Sequence, residues 1–161
     1  LRETGGHHRS DFTYSRTFDT ISAASPPALE GIIHGTFLVV DQVRTDDLAR
    51  VGAALLRMFA GHSEPAAAIS TAWLDSMTTD VARARAEGDL RPDVDVQAVA
   101  HMLVSAIVGS AVRSDATSDG EDLHDRITAM FTLVLPGIVA EESQRYFAEF
   151  LARQAHRPPR H

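Results

Sequence analysis

Between Asp95 and Val112, apolar side chains occupy nearly the whole circumference of a helix. Val96, Ala98, Val99, Met102, Leu103, Val104, Ala106, Ile107, Val108, Ala111 and Val112 leave only Gln97, His101 and Ser105, four apart, as a thin polar stripe. A helix apolar on all sides must be covered on all sides. At about 17 to 18 residues, and interrupted by that stripe, it reads as too short for a membrane span. Two coverings remain. Either it is the central helix of the domain, or one face packs inside the domain and another against a second subunit.

The rest of the chain is also patterned at helical spacing, without a convincing run of strand alternation. The segment from about Arg2 to Ile21 is the weakest helix, because Gly5 and Gly6 disfavour a helix interior. Ser25-Pro26-Pro27 reads as an N-cap followed by first-turn prolines, opening a stripe of Leu29, Ile32, Ile33, Thr36, Phe37, Val40 and Val43. Thr45-Asp46-Asp47 starts a further helix, with Leu48, Val51, Leu55, Met58 and Phe59 on one face and Gly61 as its stop. Beyond Pro65, Ile69, Trp73, Met77, Val81 and Ala84 line one face of a long helix that Gly88 ends. Asp95 caps the next helix, and Ser114 to Gly120 reads as a polar linker. Leu123, Ile127, Met130, Phe131 and Val134 form another stripe, ended or kinked at Pro136-Gly137. A final helix from about Glu141 to Gln154 shows Tyr146, Phe147, Phe150 and Leu151 on one side. The expectation is an all-α domain of six or seven helices, with 157–161 as a short polar tail.

Composition fits one soluble domain. The chain has 161 residues, 44% of them hydrophobic and 23% charged. Cysteine is absent, which removes disulfide frameworks, zinc knuckles and thiol nucleophiles together. The formal charge is −7, and an acidic surface of that kind repels phosphate backbones. No uninterrupted apolar run reaches membrane length and no signal peptide is evident, so the expected location is the cytoplasm, away from membranes.

Catalytic chemistry is not legible. His7 and His8 are adjacent and point about 100° apart on a helix; His34, His62 and His101 lack a second histidine at i+3 or i+4 spacing. His124 has Glu121 and Asp125 nearby, a pairing common on solvated faces. A calcium loop starting at Asp115 fails because Arg126 stands where the bidentate glutamate belongs. Asp46-Asp47, Asp93-Asp95 and Glu141-Glu142 read as helix-start carboxylates that complement the dipole. No metal, no cofactor and no enzymatic activity are therefore expected; His101, Ser105 and the Tyr146 hydroxyl are the few polar groups a helical cavity would have at hand. Trp73, the only tryptophan, reads either as a core residue or as the wall of an apolar ligand cavity, with Met77 one turn away.

The order of these segments resembles the C-terminal ligand-binding and dimerisation domain of TetR-type transcriptional repressors, and within them the γ-butyrolactone autoregulator receptors and pseudo-receptors. It is carried by Leu29-Glu30 to Thr36-Phe37, by 48–55 (Leu-Ala-Arg-Val-Gly-Ala-Ala-Leu), and by Ala72-Trp73. It continues through 86–95 (Ala-Glu-Gly-Asp-Leu-Arg-Pro-Asp-Val-Asp), through Ala98-Val99-Ala100, Leu103-Val104 and Val108-Gly109, and through Leu133-Val134-Leu135-Pro136-Gly137. The resemblance implies a helix-turn-helix domain ahead of Leu1, with residues 1–24 as the linker helix from it and 25–156 as the ligand-binding and dimerisation domain. Operator DNA would then be bound only through that N-terminal domain. It further implies an apolar small-molecule ligand, a homodimer built from the helices after Asp95 and after Gly120, and a cavity lined by Trp73, Phe37, Leu55, Met58, Met77, Val104, Ile107 and Val108. Val108 stands beside Gly109 where some of these receptors place a threonine, and Ala54 where relatives often carry arginine. The ligand reading thus spans butyrolactones, antibiotics and biosynthetic intermediates. The alternatives are a dimerisation module without a ligand and, behind it, an all-α enzyme or carrier.

Overall fold

A computed structural model describes residues 26–46, 49–50, 52–54, 61 and 63–157. Its elements are α1 (Ala28–Thr45), α2 (Glu64–Ala86), α3 (Val96–Ser118), α4 (Leu123–Ile138), a 3-10 turn (Glu141–Ser143) and α5 (Gln144–Ala155). Residues 49–50 and 52–54 are helical as well. The expected helix before residue 25, and all five residues of the stripe Leu48, Val51, Leu55, Met58 and Phe59, lie outside the described residues.

The central helix is α1, which packs on α2, α4 and α5. Its buried residues Ala28, Leu29, Ile32, Ile33, Thr36, Phe37 and Val40 recur at i, i+4 spacing, and Thr36 returns its hydroxyl to the Ile32 carbonyl at 2.8 Å. The prolines precede this helix instead of lying in its first turn. Pro27 holds the N-cap position at φ −47°, ψ 136° with no side-chain cap. Asp46 caps the following helical residues, accepting from the Ala49 amide at 3.3 Å.

Helix α3 is not central. Among the described residues it packs on its sequence neighbours α2 and α4 alone, burying Val99, Ala100, Leu103, Ile107 and Ser114. It runs 23 residues, through the expected linker to Ser118, because Ser114, Thr117 and Ser118 bond within the last turns and Asp119 turns left-handed (φ 51°). Contrary to the expectation from its shorter stripe, α3 is long and apolar enough to cross a membrane by length and composition, with a mean hydropathy of 1.4 and 22% of its most apolar window buried. Helix α4 likewise continues two residues past Pro136 before ending at Ile138.

Two connections are stitched together. Leu90 and Val139 form an isolated antiparallel bridge, flanked by Arg91 N–H to the Ile138 carbonyl and Ala140 N–H to the Asp89 carbonyl, both 2.9 Å. Gly88 at φ +87° makes the turn out of α2 into this link. The core is one cluster drawn from all five helices, with Phe131, Phe147, Leu29, Ile33, Leu103 and Ile127 fully buried.

Candidate functional site

Ser63 starts α2 by accepting from the Ala66 amide at 3.3 Å, with Pro65 in the first turn. From there Trp73 and Met77 fall on the face turned toward the core. Met77, Ile107 and Phe37 are buried members of the apolar cluster, and Trp73 and Val104 are half-buried against it. Phe37 stacks tilted on Phe131 (6.3 Å between ring centroids) and on His124 (5.0 Å). The structure thus brings five of the eight expected lining residues into one apolar body. Val108 is half-buried on α3, outside the residues packed on that cluster. Leu55 and Met58 lie outside the described residues.

One polar atom breaks this apolar wall. The Trp73 indole Nε1 is withdrawn from solvent and has no hydrogen-bond partner among the described residues. A buried donor left unsatisfied costs about 1–3 kcal/mol, so the position favours a group that accepts from it. The other polar groups expected near a cavity are elsewhere. His101 and Ser105 are exposed on α3, and Tyr146 is exposed on α5 with its hydroxyl donating to Glu30. Among the described residues no His, Cys, Asp and Glu group is placed to hold a metal.

A second feature went unread in the sequence. Pro27, Glu30, Glu87, Asp89, Tyr146 and Phe147 line an open cleft of about 470 Å³ where α1, α2 and α5 converge. Burial, with Glu87 and then Glu30 nearby, raises the Asp89 pKa; Asp80, one turn before Arg83 on α2, is raised by burial foremost. The carboxylates come from residues 30, 87 and 89, separated in sequence by most of two helices, so spacing alone gave no sign of their convergence.

Helices α3 and α4 also carry exposed apolar side chains. Leu133 on α4 is 81% exposed and Val112 on α3 is 49% exposed, with Val104, Val108, Met130 and Val134 half-buried on the same two helices.

Residues 26–140 match the family described as tetracyclin repressor-like, C-terminal domain, more than half of the chain. Solved structures share the fold. A γ-butyrolactone receptor described as ArpA-like is 21% identical with a TM-score of 0.71, over 88% of this chain and 65% of that one. The TetR-family protein CprB of S. coelicolor A3(2) is 20% identical with a TM-score of 0.74, over 91% and 69%. Full-length TylP, a TetR regulator from Streptomyces fradiae, is 25% identical with a TM-score of 0.66, over 96% and 79%. The chain therefore spans just under two thirds of the length of the first of these relatives. No curated protein gives a significant match. With five helices arranged as in these structures and the family match covering α1 to α4, the chain belongs to the tetracycline-repressor-like C-terminal domain family.

Proposed function

We propose that this chain is the small-molecule-sensing and dimerising part of a one-component transcriptional repressor. An apolar ligand enters beside Trp73, and its binding favours a conformer that releases operator DNA. The observation that carries the ligand reading is the buried Trp73 indole N–H, unpartnered among the described residues and set against the apolar cluster. It calls for an uncharged molecule with an acceptor oxygen, such as a lactone or ketone carbonyl. The described γ-butyrolactone receptors support that class, and the CprB structure in complex with its biological operator supports DNA as the output. Phe37, Leu55, Met58, Met77, Val104, Ile107 and Val108 complete the proposed lining.

The regulator reading assigns DNA contact to a domain preceding residue 1, with 1–24 as the linker helix and 25–156 as the sensor. The −7 charge of this chain agrees with that division. The open faces of α3 and α4 supply the homodimer, and location in the cytoplasm follows from an output on DNA. Ligand action requires different affinities for the two conformers; equal affinity would shift nothing.

Calorimetric titration of the chain with 2-acyl-γ-butyrolactones and with apolar polyketide antibiotics tests the reading. Saturable heat that W73F weakens is expected. The absence of binding by any uncharged apolar carbonyl compound, with the protein folded and dimeric, would leave a dimerisation module; the deep burial of Phe37, Met77 and Ile107 in the core favours that second reading.

A further inference from the structure

Helix α1 begins without a local cap. Its N-cap residue is Pro27, whose side chain offers no oxygen, so the first-turn N–H groups need acceptors from elsewhere. The Ala28 amide donates to Glu87 Oε2 at 2.7 Å, across 59 residues of sequence. One turn earlier on the same helix, Arg83 Nη2 donates to the Pro26 carbonyl at 3.2 Å, and Arg83 Nε pairs with Glu87 Oε1 at 3.4 Å. The backbone on both sides of Pro27 is thus held by one turn of α2. Two consecutive prolines fix their own φ, so the backbone at this joint is stiff.

The helix that forms the joint is also the one that carries Trp73. Arg83 lies ten residues beyond Trp73, about 15 Å along the helix axis. We propose that Arg83 and Glu87 are positioning residues that pass displacements of α2 at Trp73 to Pro26–Ala28, and so to the chain ahead of them. Its regulatory meaning rests on the ligand reading above; the mechanical coupling does not.

Two features make the joint adjustable. The attachment is opposed by like charge: Glu30 and Asp89 line the same cleft as Glu87, and Asp80 lies within electrostatic reach of it, with Arg83 as the paired cation and the Tyr146 hydroxyl held on Glu30. Arg83 Nε is also withdrawn from solvent and, among the described residues, makes the ion pair but no hydrogen bond, so its link to Glu87 is not locked by direction. Beside Pro27 and Glu87, the open cleft of about 470 Å³ leaves room for the first turn of α1 to shift.

Amide hydrogen exchange on the 161-residue chain, in wild type, W73A, E87A and W73A/E87A, tests the joint. E87A should speed exchange of the Ala28, Leu29 and Glu30 amides about tenfold, leaving the amides of Ile127 and Phe131 unchanged. W73A should alter exchange at 28–30 when Glu87 is present and add nothing in the E87A background. Equal effects of W73A in both backgrounds overturn the coupling. If E87A does not fold, R83Q replaces it. R83Q keeps the Glu87 bond to Ala28 but loses the tie to Pro26; undiminished coupling there overturns the proposal. Trp73 emission during lactone titration is read separately. Coupling without a lactone response keeps the joint and removes the ligand reading, whereas a lactone response with additive mutants does the reverse.

Discussion

Ser114 Oγ, fully buried, donates to Asp122 Oδ1 at 2.6 Å and locks the turn between α3 and α4. Ser118 donates to the same oxygen at 2.7 Å, and Arg126 Nε donates to Oδ2 at 2.7 Å. These donors, Arg126 first, hold the Asp122 carboxyl far below its usual pKa. Ser114→Ala removes one of the bonds that hold Asp122 and should lower the unfolding midpoint. Denaturant melts check this. Asp122→Asn should cost more than Ser114→Ala, because it weakens three bonds at once.

Stability should peak in mild acid. Asp80 and Asp89 have folded-state pKa values raised above the usual 3.8, chiefly by burial. The folded state therefore takes up protons before the unfolded one, and stability rises as pH falls from neutral through those raised values. Asp122 and Asp93 are lowered by their hydrogen bonds to Arg126 and Arg91; the stability they give is present above 3.8 and is lost as pH falls below it. Thermal melts from pH 7 to pH 3 should show that maximum. Asp89→Asn should flatten the slope on its neutral side and raise stability at pH 7.

Phe131 is fully buried against Phe37 and sits where α4 meets α1. Phe131→Ala should cost about 3–5 kcal/mol, a large share of the about 5–15 kcal/mol of a typical domain. Loss of cooperative melting at 37 °C is the expected readout.

Leu133 projects from α4 with most of its side chain exposed. Leu133→Asp should convert a dimer into a monomer in sedimentation at micromolar concentration, with helical circular dichroism retained. A monomeric wild type would remove the dimer assignment for this face.

How far the sequence reached can be seen in particular residues. The stripes of α1, α2 and α4 were readable because Leu29 to Val40, Trp73 to Ala84 and Leu123 to Phe131 each follow one helical face. Asp95 was readable as a cap, and its carboxylate accepts from the Ala98 amide at 3.0 Å. The end of α3 was not, since Ser114, Thr117 and Ser118 look like linker residues until they bond back into their own helix and across to Asp122 and Arg126. Nor was the central place of α1, because all-round apolarity in α3 serves an open face as well as a core. At the candidate site, Trp73 and Met77 were visible by periodicity. The tertiary cap that Glu87 supplies to Ala28 depends on 59 residues of intervening chain and leaves no local signal.

Since Trp73 is the only tryptophan, its emission reports on the proposed cavity alone. The most direct measurement is a titration of that emission with a 2-acyl-γ-butyrolactone series, alongside a charged carboxylate analogue of each. A saturable shift with the uncharged lactones, absent for the carboxylates, is the predicted result. Emission unchanged by every lactone and every apolar carbonyl compound tested, in a folded dimer, would contradict the sensing role.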